Sequence, residues 1–289
     1  MGFVLAAQLG CGASRQTAYL QDSADAKTPE GASDETALQS LHDQAEAAWQ
    51  AREDTAKLRE AIALYEQVLT KKSDDRELLT RLARAYYFLG NGHLTEKDEV
   101  LAAFDRGARY GEQAMALNTE FKKAVAGGAD DDEALKHLTK DDVGGLYWAY
   151  SNLGKWSVLM GFTTVLKYKN KLKRFIDRVT ELDPSFFYGA ADRGQGAFYA
   201  KAPDFAGGDL DKAKTHFTRS LNIAPDYLGT KVLIAEYWAT KKQDKDMYQK
   251  LLKEVLEADP ASLPDIVPEQ KAEQKNAQKL LDEMDDRFE

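Results

Sequence analysis

The chain has 289 residues, of which 43% are hydrophobic and 10% aromatic, enough to bury a core and to exclude a disordered chain. Acidic residues outnumber basic ones by 48 to 39, a net charge of -9. No Lys/Arg stripe is concentrated enough to track a phosphate backbone, which argues against nucleic acid as a partner.

The first segment, "MGFVLAAQLGCGAS", carries an apolar run over residues 3 to 10 and the only cysteine, Cys11. A bilayer span needs about 20 apolar residues, so the run fits a signal-peptide core and not a transmembrane helix. One cysteine allows no internal disulfide. Residues 12 to 36 are small and polar, and cannot recover their ordering entropy by burial. They are expected to form a tether with a reach on the order of 25 to 30 Å. An apolar run, Gly-Cys and a soft linker resemble a bacterial lipoprotein signal, in which Cys11 becomes the lipidated N-terminus; a buried free cysteine in a frayed terminus is the alternative. The resemblance divides the chain into a signal over 1–11, a tether over 12–36 and a folded domain over 37–289. Gly12, where an aspartate would retain such a protein at the inner membrane, implies the outer membrane.

Beyond residue 37 one frame recurs. Residues 58 to 75 place Ala61, Tyr65, Val68 and Ser73 at offsets of 4, 3 and 5. The same offsets give Gly107, Gly111, Ala114 and Thr119; Leu172, Ile176, Val179 and Pro184; Ala213, Phe217, Ser220 and Pro225; and Tyr248, Leu252, Val255 and Pro260. The first three positions fall on one helical face, and the last sits where a helix stops. Each frame follows another amphipathic stretch, in which small residues such as Ala83, Gly194 and Ala235 mark expected close approaches, with Tyr86 and Trp238 three places after the two alanines. No strand-like alternation appears. The pattern resembles the tetratricopeptide (TPR) repeat of 34 residues. It implies an all-α, TPR-like superhelix of four to five helical hairpins, with insertions at 90–100, 121–141 and 202–208. Residues 268 to 288 form an expected capping helix with Ala272, Leu280, Leu281 and Met284 inward.

Reactive chemistry is sparse. The stretch "PDFAGGDLDK" has Gly207-Gly208 before a helix, yet neither the Walker spacing nor the dinucleotide fingerprint is met. Pro203 is expected to end one helix, the glycines to take positive φ, and Asp209 to cap the next helix. His42, His93, His137 and His216 have no partner at metal-ligand spacing, so no metal is expected. The acidic run at 127–145 lacks the EF-hand register and is expected to be a solvated, mobile insertion. No nucleophile motif is present, and no catalytic residue and no cofactor are assigned.

Aromatic residues are in surplus. Tyr147, Trp148, Tyr150, Trp156 and Phe162 fall in one window, and Phe186, Phe187, Tyr188, Phe198, Tyr199 and Phe205 in another. They line an apolar groove or thicken the core. Tyr188-Gly189 followed by Asp192-Arg193, the Pro203 to Gly207-Gly208-Asp209 loop, and Ala213 with His216-Phe217 resemble the TPR lipoproteins of tripartite ATP-independent periplasmic (TRAP) transporters, their T component. The likeness spans residues 40 to 284. It implies a non-enzymatic, lipid-anchored periplasmic protein that self-associates, binds the solute-binding subunit and passes on an apolar or amphipathic small molecule. The positions it implies for ligand or partner contact are Trp148, Lys155, Tyr188, Arg193, Phe198, Tyr199 and Lys201. A general envelope-assembly TPR lipoprotein that recognises peptide segments is the alternative function.

Overall fold

The computed structural model describes residues 13–20 and 32–288; Cys11, the expected lipidation site, lies outside the described residues. The chain is all-α, with no strand among the described residues. Its helices are α1 (Ala32–Gln50), α2 (Thr55–Leu69), α3 (Arg76–Gly92), α4 (Lys97–Ala116), α5 (Thr119–Ala126), α6 (Asp131–Leu135), α7 (Val143–Met160), α8 (Phe162–Leu182) and α9 (Phe186–Lys201). There follow α10 (Leu210–Ile223), α11 (Leu228–Leu233), a π-helical segment (Ile234–Ala239), α12 (Thr240–Lys242), α13 (Lys245–Glu257) and α14 (Val267–Asp282). Two compact units form: Tyr65–Phe175 with the described residues before His42, and His42–Leu64 with the chain from Ile176 onward.

The recurring frame faces inward. Ala61, Tyr65 and Val68 are buried, as are Ala213, Phe217 and Ser220, and Tyr248, Leu252 and Val255. In α8 the frame slips: Ile176 and Val179 are buried, whereas Leu172 is only half-buried and Phe175 takes a core place. In the first unit α4 packs against both α3 and α7, which also touch each other. A Cβ on Gly111 would stand 2.6 Å from the backbone nitrogen of Ala149, and one on Gly145 2.8 Å from the Cβ of Ala114, so glycine is what lets the two backbones touch. Asn152 of α7 ties in α3 by donating to the carbonyl of Ala83 at 3.0 Å.

The expected tether is packed over residues 13–20. Arg15, with 3% of its side chain exposed, donates to Glu112 at 2.5 and 3.1 Å and to Asp105 at 2.7 Å. Glu112 also accepts from the Ala18 amide at 2.9 Å. Ala13 donates to Thr164 Oγ1 of α8 at 3.2 Å, and Arg15 to the Tyr168 hydroxyl at 3.1 Å. Tyr19 is buried edge-on against Phe121, 5.2 Å between ring centroids. These contacts supply the burial that a small polar stretch lacks on its own. The region 121–141 is likewise ordered. Phe121, Ala134, Leu135 and Leu138 are buried, Asn118 and Asp130 cap α5 and α6, and Lys171 and Arg174 of α8 pair with Asp131 and Asp132 at 3.3 and 2.7 Å.

In the second unit α9 packs on α10. Gly196 makes a close approach: its Cβ would stand 2.7 Å from the Phe217 ring. After α9, Ala202 and Pro203 are extended, and Gly207 turns the chain at φ +98°. Gly208 does not need positive φ; it is glycine because a Cβ would lie 1.9 Å from the carbonyl oxygen of Ala202. Asp209 caps α10 as expected, accepting from the amides of Asp211 and Lys212 at 3.0 Å each, and those bonds hold its carboxyl below the usual range. Leu280 of the final helix is buried and Leu281 and Met284 pack beside it, while Ala272 is only half-buried and Ala277 takes a core position.

Candidate functional site

Five of the seven candidate contact residues lie on α9, and its two halves differ. At the start, Phe187 (φ 43°, ψ 56°), Tyr188 (61°, 45°) and Gly189 (69°, 34°) form three successive left-handed residues. For each of the two aromatic residues such a backbone costs on the order of 1–3 kcal/mol, so surrounding contacts must hold it. Arg193 supplies them. One turn on in the same helix, it donates to the carbonyl of Tyr188 at 2.9 Å and to that of Phe187 at 3.3 Å. Its guanidinium lies 3.9 Å from the centroid of the Tyr227 ring. Tyr227 in turn stacks with Tyr188, 5.6 Å between centroids at 25°, and meets the edge of Phe187.

Asp192 points elsewhere, because neighbouring helical residues are about 100° apart. Buried, it takes a 2.7 Å contact from His216 Nδ1 of α10. The imidazole stacks against Tyr199 at 5.5 Å and 13°, and Lys212 lies 5.6 Å from the centroid of the same phenol ring. The adjacent pair Asp192-Arg193 thus fixes two different things, the seat of α10 and the left-handed turn.

The second half of α9 is a surface. Phe198 is 38% exposed, Lys201 is exposed with its ammonium 5.2 Å from the Tyr237 ring centroid, and Phe205 just beyond is 82% exposed. Burial pushes the Tyr237 phenol up, and the neighbouring Glu236 pushes it further. Lys241 donates to the carbonyl of Ala202 at 2.9 Å, and the Trp238 indole to that of Leu210 at 3.0 Å, which pins the chain around this surface.

The expected set therefore divides. Phe198, Tyr199 and Lys201 reach solvent; Tyr188 is half-buried against Tyr227; Arg193, 6% exposed, is spent inside the fold. Trp148 and Lys155 belong to the other unit. Trp148, 4% exposed, packs against Tyr87 and Tyr147, whereas Lys155 is exposed near the Tyr87 ring. Of the eleven surplus rings, Tyr147, Trp148 and Trp156 are buried, Phe162, Phe198 and Phe205 exposed, and the remainder half-buried. Neither of two open clefts in the second unit is lined by a candidate residue. One, of about 590 Å³, is lined by Glu53, Asp54, Lys271, Lys275 and neighbours, and the other by charged and polar side chains of α13.

Sequence reasoning missed Tyr227, which carries no repeat signal, and the Asp192–His216 contact, whose partners are 24 residues apart. Among the described residues no group of three or more His, Cys, Asp or Glu side chains is placed to hold a metal, and no helix is long and apolar enough to cross a membrane. No curated protein matches the chain. The model of the TRAP transporter T-component family matches residues 55–288, which include the left-handed turn, Arg193, the Gly207-Gly208 loop and both frames on either side of it. By that match, which takes in most of its length, the chain belongs to the TRAP transporter T-component family.

Proposed function

We propose that the protein is a lipid-anchored periplasmic scaffold of a TRAP uptake system that binds the solute-binding subunit through the exposed half of α9. The family gives the coarser part of this reading: it is transport-associated. The observation that carries the finer part is the contrast within α9. Its first half is locked by Arg193 and Tyr227, while Phe198 and Lys201 on its second half and Phe205 just beyond it are exposed, with Tyr199 half-buried beside them. Aromatic anchors beside a cation on a rigid element are what a binding hot spot requires. An apolar or amphipathic small molecule would meet the same rings. Stacking of the helical pairs as a TPR-like superhelix, self-association, and an anchor at Cys11 in the outer membrane complete the reading.

The test is titration of the purified protein with the solute-binding subunit of its own TRAP system. Phe198→Ala and Phe205→Ala are each expected to weaken binding about tenfold or more with an unchanged melting temperature. Unchanged affinity in the double variant removes α9 as the docking surface. Capture from native membranes of unrelated envelope proteins in place of TRAP subunits favours the general envelope-assembly alternative. Mass spectrometry of the membrane-extracted N-terminus separately reads whether Cys11 is acylated.

A further inference from the structure

Four of the nine large apolar side chains left exposed among the described residues fall within nine positions: Val158 (49%), Met160 (39%), Phe162 (53%) and Leu166 (48%). They form the corner where α7 ends and α8 begins, turned by Gly161 at φ +104°. On α8, Phe162, Leu166, Lys169 and Lys173 follow at spacings of 4, 3 and 4, which places them on one face. No acidic residue occurs from Phe162 to Ile176, in a chain whose net charge is -9. The stripe is therefore apolar in its first turn and cationic at about 10 and 16 Å further along the axis.

The course of the N-terminal segment says what this corner faces. Ala13 is hydrogen-bonded to Thr164, in the first turn of α8, and packs against the core cluster of Phe104, Ala108, Leu153 and Trp156. Lys167 is bonded to Ser14. Cys11 is two residues before Ala13 in the chain. An acyl anchor there would bring the bilayer to the end of the unit where the exposed side chains cluster. We propose that the α7–α8 corner is a membrane-contact surface, with Met160, Phe162 and Leu166 entering the headgroup–acyl boundary and Lys169 and Lys173 at the depth of anionic lipid phosphates. An apolar face enters that boundary by about 5–10 Å, which matches the length of the apolar turn, and cations near an anionic surface add to the attraction. This deepens the anchored reading above and rests on it.

Because Cys11 is the only cysteine, the full chain can be coupled through it to a maleimide lipid, which supplies an anchor whether or not acylation occurs in the cell. The vesicles are phosphatidylcholine with phosphatidylglycerol, with or without bromine on the acyl chains. A Phe162→Trp variant is expected to lose about half of its added emission on brominated vesicles, while Lys123→Trp, on exposed α5, loses none. Adding Lys169→Glu and Lys173→Glu is expected to abolish most of that quenching. Emission from Phe162→Trp as insensitive to bromine as that from Lys123→Trp overturns the proposal. A blue-shifted but unquenched signal overturns it too, since it means that a second protein copy covers the corner. Acylation measured separately at Cys11 distinguishes failure of this surface from failure of the anchor.

Discussion

Glu112 shows how much depends on single side chains with no periodic signal. Fully buried in α4, it accepts from both terminal nitrogens of Arg15 and from the Ala18 amide, and nothing in a helical repeat asks for an acid there. Its partner is 97 residues away in a stretch that composition alone assigns to solvent. Local sequence cannot carry that pairing. Removing one member of a buried pair leaves the other charged and desolvated, so Glu112→Ala is expected to cost about 3 kcal/mol. Release of residues 13–20 should follow, read as faster tryptic cleavage after Arg15. Asp105 adds a pH dependence. Burial opposes ionisation of its carboxyl, but hydrogen bonds and charge from Arg15 and Arg109 outweigh burial and hold it below the ordinary 3.8. A lowered folded-state pKa means stability that is complete above 3.8 and is lost as the pH falls below it toward the folded-state value. Protection of residues 13–20 from hydrogen exchange, taken relative to the intrinsic exchange rate at each pH, should therefore fall below that point and stay flat above it.

At the scale of elements the sequence was most legible where burial and helical period coincide. The frames at 61–68, 213–220 and 248–255 face inward because small, aromatic and aliphatic residues at those offsets have no other face to occupy. The Pro203–Asp209 loop was legible for the same local reasons, since proline, glycine and a capping aspartate each act within a few residues. Asp209→Ala is expected to lose two amide acceptors at the start of α10 and to destabilise the protein by about 1 kcal/mol, measured by urea denaturation. The left-handed start of α9 was not legible. Phe187 and Tyr188 have no intrinsic preference for that backbone, and what holds them is Arg193 with Tyr227, a tertiary arrangement. Nor was the division of the surplus rings, because Trp148 and Phe198 look alike in sequence and differ only in what packs over them.

For the molecule as a whole, class and family were readable, and the composition of the surface was not. An all-α chain in the TRAP transporter T-component family follows from the frames and from the family match over residues 55–288. Which apolar residues stay outside depends on the completed packing of each unit. Phe205 at 82% exposure and the corner around Phe162 emerge only once their neighbours are in position.

The docked N-terminal residues also decide where the gene can be cut to make a soluble form. Residue 37, where composition changes, looks like the natural start, yet a protein beginning there loses the guanidinium that neutralises Glu112 and the ring of Tyr19 that packs against Phe121. Such a shortened protein would carry a wetted slot along α4 and α8 that the native chain does not have. A soluble form that starts at Ala13 or earlier retains the side chains that fill it.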